Sequence, residues 1–292
     1  MYKQLGVIGC GLMGGSFALA LKQAGLVQQV LGFSKSSATA QSALQLGVID
    51  RVAQSLQEVV TGSDLVLLAV PVSATEATLR EVRDRLAPGV LLMDVGSTKC
   101  DVIAAAQRAL GERMASFVPA HPIAGKESAG VAHAEASLYQ GRQLILTPLP
   151  QTDGALLQQA RELWSAIGST VLEMSAAQHD AAFAAVSHLP HLLAFAYFQS
   201  IADQAEGSEF LSLAGPGFRD FTRIAASDAN VWRDILLSNK AEVLQQSQRF
   251  RQALDALEQL MREDDAAGLT QTLRETAEAR SLWQMGAPRR AR

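Results

Sequence analysis

The sequence predicts an α/β protein: a doubly wound, mostly parallel sheet followed by an all-helical C-terminal part. Three observations carry this expectation. The first half alternates short, wholly apolar runs with segments whose apolar residues recur every three or four positions. A glycine-rich turn joins the first such run to the first helical segment. Beyond Met174 the strand-like runs stop, and only helical periodicity remains.

Taken in order, Leu5–Ile8, Val30–Phe33, Leu65–Val70 and Val90–Asp94 are compact and rich in Val and Leu. Strands apolar on both faces suit a parallel sheet covered by helices on each side. Ser16–Gln23, Ala38–Leu46 and Thr75–Leu86 supply those helices. Phe117–Pro119, Gln143–Thr147 and Thr170–Glu173 are expected to extend the same sheet. Ala176–Val186, Leu192–Ala205, Asp228–Leu237 and Ala241–Arg262 form the helical part, with Pro190 expected to interrupt a helical run. On the last helix Val243, Phe250, Leu254, Leu257 and Met261 make one apolar stripe, which suits packing in a bundle or a homodimer interface. The expected division is a dinucleotide-binding domain over 1–174, a helical substrate and dimerisation domain over 175–285, and a flexible tail over 286–292.

Composition narrows the function classes. With 292 residues, 48% hydrophobic and 18% charged, the chain can bury more than one core and is not of disordered composition. A net charge of −4 offers no basic field for a nucleic-acid backbone. The first residues lack the pattern of a secretory signal, and no uninterrupted apolar stretch reaches the roughly 20 residues that span a bilayer. Cys10 and Cys100 are not in metal-ligand spacing. Reduced thiols in a compact enzyme fit the cytoplasm.

Gly9-Cys10-Gly11-Leu12-Met13-Gly14 follows a strand and opens a helix. The first glycine permits the turn, the second admits a pyrophosphate close to the backbone, and the third lets helix and strand pack. That context makes the fold Rossmann-like and the cofactor a nicotinamide dinucleotide. An NAD site usually carries a carboxylate about 20 residues further on, at the end of the second strand. Here Ser34, Lys35, Ser36 and Ser37 stand there, and no Asp or Glu precedes Asp50. Lys35 and the Ser34 and Ser36 hydroxyls suit a 2′-phosphate, so NADP is favoured and NAD remains open. Ser36 or Ser37 also suits a helix cap.

Three further segments concentrate polar residues in apolar surroundings: Asp94-Val95-Gly96-Ser97-Thr98-Lys99, His121-Pro122-Ile123-Ala124-Gly125-Lys126-Glu127, and Ser187-His188-Leu189-Pro190-His191. No carboxylate lies at helical ligand spacing from His188 or His191, so no metal is expected. Arg219, Arg223 and Arg233 follow. Each can be a surface charge, and one in a cleft would grip a carboxylate with its planar fork.

Together with Gly217-Phe218-Arg219-Asp220-Phe221-Thr222-Arg223 and Trp232-Arg233-Asp234, these segments resemble the prephenate/arogenate (cyclohexadienyl) dehydrogenase family, from about Leu5 to Trp283. The resemblance implies oxidative decarboxylation of prephenate or arogenate in tyrosine biosynthesis. It implies that His121 accepts the substrate hydroxyl proton and that Ser97 bonds His121 or that hydroxyl. Arg223 would bind a carboxylate, and His191 would lie beside nicotinamide and substrate. His188 would shape its segment, and Trp232 would pack near the arginine. Lys126 departs from the family pattern: it would attract a side-chain carboxylate, whereas Glu127 would attract arogenate's ammonium. Two other readings stay open. One is a different two-domain hydroxyacid or imine oxidoreductase, with Lys240 as proton carrier. The other is a noncatalytic nucleotide-sensing module.

Overall fold

The computed structural model describes residues 1–126 and 128–284. Glu127 and the expected tail at 286–292 lie outside the described residues. By its internal contacts the chain divides into two compact units, Met1–Lys240 and Ala241 onward.

In the first unit six parallel strands form one sheet: β1 (Tyr2–Ile8), β2 (Val27–Phe33), β3 (Arg51–Val52), β4 (Leu65–Leu68), β5 (Leu91–Asp94) and β6 (Phe117–Val118). Their spatial order is β3-β2-β1-β4-β5-β6. The order reverses between β1 and β4, which opens the crevice where doubly wound sheets take their ligand. Strand alternation divides the core in two. Leu65 and Leu67 of β4 pack with Phe17, Leu21 and Trp164, whereas Val66 and Leu68 pack with Leu79, Val82 and Phe117. Helices α1 (Leu12–Gln23), α2 (Ser37–Gln45), α3 (Leu56–Val60), α4 (Thr75–Val82) and α5 (Cys100–Leu110) connect the strands.

One expectation needs correction. Of the three later strands expected in this sheet, only Phe117–Val118 joins it. Pro119 has no N–H to continue the ladder, and the chain turns there into a second sheet. That sheet contains β7 (Ala120–Pro122), β8 (Gln143–Leu146) and, after α6 (Gly154–Ala166), β9 (Thr170–Glu173). Strand β7 runs antiparallel to β8, and β8 runs parallel to β9. Lys99 and Asp94 hold the two sheets in register. The buried Lys99 ammonium pairs with the Asp94 carboxylate and donates to the Ala120 carbonyl at 2.8 Å, while Asp94 accepts the Ala120 N–H at 2.9 Å. His121 is the next residue.

After β9 all described structure is helical: α7 (Ala176–Phe183), α8 (Leu189–Ala202), α9 (Gly207–Ser212), α10 (Pro216–Thr222), α11 (Ala229–Ser238), α12 (Lys240–Arg262) and α13 (Ala266–Leu282). Ser175 starts α7 with a reciprocal cap to Gln178. The expected break at Pro190 is absent, because Ala184–His188 widens into a π-helical turn and Pro190 falls in the first turn of α8. The widened turn just upstream absorbs the missing N–H. Residues 176–202 therefore form one helix, long and apolar enough to cross a membrane by length and composition. It carries His179, Asp180, His188 and His191.

In the second unit the stripe on α12 is largely open. Phe250, Leu254 and Met261 are exposed, Leu257 is half-buried and Val243 is buried.

Candidate active site

At the glycine turn, Gly9 has φ +101°, and a Cβ there would lie 2.2 Å from the Ala69 carbonyl oxygen. A Cβ on Gly14 would lie 2.1 Å from the Gly9 carbonyl oxygen. Both positions therefore require glycine, for the turn and for close packing. A Cβ on Gly11 would meet nothing, so the space above it is open to a ligand. Gly11 is also the N-cap of α1 and supplies no side-chain cap, leaving the N–H groups of the Leu12–Met13 turn for an anion. These residues fit a dinucleotide pyrophosphate.

Beyond β2, Ser34 is half-buried and Lys35 is exposed. The Ser36 hydroxyl accepts the Thr39 N–H at 3.3 Å and caps α2, so its structural role is filled. Asp50 cannot serve as the ribose carboxylate. It accepts from Lys22 Nζ at 2.6 Å and from the Val30 N–H at 2.8 Å, three residues short of the strand's carboxyl end, about 10 Å away at strand rise.

A cavity of about 560 Å³ lies within the first unit, lined by Ser97, His121, Lys126, His188, His191, Arg223 and Trp232 among others. Every described residue expected at the substrate site thus faces one space. Arg219 and Arg233 do not line it. They pair with their neighbours Asp220 and Asp234, at 3.1 and 2.6 Å. Lys240 is not in the lining either.

His121 sits at the centre of β7. Its Nδ1 lies 2.7 Å from His179 Nε2, and His179 Nδ1 lies 2.8 Å from Asp180 Oδ1. Burial pushes the His121 imidazole well below its ordinary value, helped by His179, Lys99 and His188 nearby, so it is neutral at physiological pH. Burial also lowers His179, against the opposing pull of Asp180. Burial alone would raise Asp180. Hydrogen bonds from His179 and from the Cys100 and Lys99 N–H groups outweigh it and hold the carboxylate ionised.

The expected Ser97–His121 bond is not made. Ser97 lines the cavity, and among the described residues its hydroxyl has no hydrogen-bond partner, which leaves it the substrate hydroxyl, the other partner expected of it.

On the helical side, His191 stacks on Trp232 with ring centroids 3.4 Å apart and planes at 17°. Its Nδ1–H donates to the Ser187 carbonyl at 2.9 Å, a contact one turn back. Burial lowers the His191 imidazole, and the Arg223 charge lowers it further. Trp232 therefore packs on the histidine and shares the cavity lining with Arg223. His188 is buried behind them, its Nδ1 3.1 Å from the Asn239 amide nitrogen, which also donates to the Asp180 carbonyl. Burial brings His188 down to about 4.

Lys126 does not present an uncompensated charge. Its ammonium pairs with Glu135 at 2.7 Å and donates to the His133 carbonyl at 3.1 Å. Arg142, immediately before β8, lines the same cavity and has no ion pair among the described residues. The cavity thus combines a neutral imidazole, two guanidinium groups and an aromatic wall, a set suited to taking a proton from an anionic ring substrate.

Family models match both parts of the chain: "Prephenate dehydrogenase, nucleotide-binding domain" over residues 17–173 and "Prephenate dehydrogenase, dimerization domain" over 175–275. The chain belongs to the prephenate dehydrogenase family. Prephenate dehydrogenase of Bacillus subtilis is 37% identical over 267 residues, covering 89% of this chain and 71% of that protein. Cyclohexadienyl dehydrogenase of Zymomonas mobilis is 33% identical over 282 residues, 96% of each. Prephenate dehydrogenase from Aquifex aeolicus, solved with hydroxyphenyl propionate and NAD+, superposes with a TM-score of 0.89 at 33% identity, covering 96% of this chain and 97% of that one.

Within this prephenate dehydrogenase family member, sequence reasoning missed His179, Asp180, Asn239 and Arg142. His179-Asp180 lies in an unremarkable Ala-rich helical run, and Arg142 in a plain approach to a strand. One signal was present: a histidine beside a carboxylate on the same helical segment as Ser187–His191.

Proposed function

We propose that this protein oxidatively decarboxylates prephenate or arogenate, giving 4-hydroxyphenylpyruvate or tyrosine, with NADP as the favoured hydride acceptor and NAD as an alternative. The carrying observation is that His121, from the sheet, and Arg223, from the helices, line one cavity.

Bound nicotinamide supplies the hydride acceptor. The chain's residues do the rest. His121 takes the proton of the ring hydroxyl as the hydride leaves the carbon that bears it. The bond from ring to carboxylate breaks, carbon dioxide departs, and the released electron pair completes the aromatic ring. The proton then returns from His121 to the phenolic oxygen, so the reaction consumes no net base. Ser97 is placed to bond that hydroxyl, because His121 does not occupy it. Arg223 binds the ring carboxylate and Arg142 the side-chain carboxylate. Lys126 is held by Glu135, which leaves Arg142 the stronger anchor. His191, fixed on Trp232, orients the ring, and His188 shapes the wall.

The glycine turn, with Gly9, Gly11, Leu12, Met13 and Gly14, takes the pyrophosphate. The preference for NADP rests on Lys35 and Ser34 and on the missing ribose carboxylate. Against it stands the NAD+ bound to the Aquifex relative. We further propose a homodimer through the helices, supported by the exposed α12 stripe and the matched dimerization domain, and a cytoplasmic location. The apolar helix at 176–202 carries the polar residues of the site and is read as part of the enzyme, not as a membrane span.

The test is a steady-state assay of both substrates against both cofactors. Reduced nicotinamide and an aromatic product are expected, fastest with NADP+. No reduced nicotinamide in any of the four combinations would overturn the reading.

A further inference from the structure

We infer that His179 and Asp180 are positioning residues that fix His121 in the one tautomer able to act as a base toward the cavity. The inference rests on the assignment of His121 as proton acceptor and extends it to residues behind the cavity wall.

Donor and acceptor roles follow by elimination. Asp180 accepts from Lys99 N–H at Oδ1 and from Cys100 N–H at Oδ2, both at 2.8 Å, and from His179 at Oδ1, also at 2.8 Å, with the Cys100 thiol as a further donor. The two backbone donors belong to the N-terminal end of α5, where the helix favours a negative charge. The carboxylate is therefore ionised and can only accept. His179 Nδ1 must carry the proton of that contact. A neutral His179 then has a lone pair on Nε2, which lies 2.7 Å from His121 Nδ1. Only a donor satisfies it, so His121 Nδ1 carries the proton. Neutral His121 is thereby left with its lone pair on Nε2, the nitrogen not engaged by His179.

The opposite tautomer would set two lone pairs against each other at 2.7 Å in a buried site. That arrangement costs an unmade hydrogen bond as well as repulsion. When His121 accepts the substrate proton, its Nδ1–H becomes a stronger donor to His179, and the ionised Asp180 lies next in line. The chain thus selects the productive neutral form and stabilises the transient imidazolium. The charged and titratable groups around it are Lys99 and Asp94 beneath β7, Asp180 on α7, and His188 on the π turn. The rings also touch: His179 and Phe183 have centroids 4.5 Å apart. A packing role therefore has to be separated from a hydrogen-bonding one.

Two substitutions separate them. His179→Phe keeps an aromatic ring of similar size and removes both nitrogens. His179→Gln loses the ring but offers an oxygen to His121 and an N–H to Asp180. We expect His179→Phe to lower kcat at least about tenfold, less than the roughly 10²–10⁴-fold contribution of the base itself, with the cofactor KM unchanged. Its acid limb in the kcat–pH profile should move to lower pH, because the imidazolium loses its acceptor. His179→Gln should recover most of the loss. Wild-type kcat and pH profile in His179→Phe, or equal losses in both variants, would overturn the inference. His121→Asn, assayed alongside, keeps the two claims apart: if it retains full activity, the base assignment fails rather than the relay. Nitrogen-15 spectra of the unaltered enzyme with labelled histidine give an answer that does not depend on any variant folding. The Nδ1–H form of His121 is expected, and the Nε2–H form would refute the relay.

Discussion

Lowering the pH from 7 to 5 should weaken this fold through its buried imidazoles, and His188 sets the scale. Its folded pKa of about 4 lies below the ordinary 6.5 because burial disfavours the charged ring. The side chain is 1% exposed, so solvent screening gives no reason to discount the shift. A depressed histidine contributes stability that is complete above about 6.5 and is lost as pH falls towards 4, since the unfolded chain takes up the proton first. At pH 5 the unfolded histidine is about 1.5 units past its midpoint while the folded one remains neutral, a loss of about 2 kcal/mol at 1.36 kcal/mol per unit. His121, His179 and His191 are shifted in the same direction and add to the total. Asp180, already held below 3.8, contributes its acid loss only at lower pH. Urea unfolding at both pH values, for the unaltered protein and for His188→Gln, isolates the one ring. The difference between pH 7 and pH 5 should be about 2 kcal/mol smaller in the variant. An identical difference in the two proteins would refute the reasoning, whatever their absolute stabilities.

The cofactor and substrate assignments yield two further expectations. Lys35→Asp should lower kcat/KM with NADP+ by about tenfold or more relative to NAD+, the size of a lost charge-assisted contact plus repulsion. Equal losses with both would make the segment a structural loop. Arg142→Ala should raise the substrate KM by about tenfold with little change in kcat, since it removes binding remote from the reacting carbon. An unchanged KM would return the side-chain carboxylate to Lys126.

What the sequence disclosed, and what it hid, follows from the range of each signal. The glycine turn was legible because its demands are local: a positive φ at Gly9 and no room for a Cβ at Gly14 leave glycine as the residue that fits. The six-stranded sheet was mostly legible because β1, β4 and β5 are apolar on both faces. Membership of β8 and β9 was not, since a short apolar strand looks the same in either sheet and pairing is a tertiary choice. Pro119, which diverts the chain, was visible but had no address. The Pro190 break was expected from helix propensity and did not occur, because a widened turn just upstream absorbs the proline. At the site, histidines beside prolines stood out, whereas His179 and Asp180 sit in ordinary helix and gain meaning only when folding brings them behind β7. The same is true of Lys126, whose pairing with Glu135 nine positions on carries no periodic signature.

The most direct test of the account is turnover by His121→Asn at saturating substrate and cofactor, measured beside cofactor affinity. The account predicts a kcat lowered roughly 10²–10⁴-fold with cofactor binding preserved. A kcat equal to that of the unaltered enzyme would contradict it, because the hydroxyl proton would then be leaving to a group other than His121.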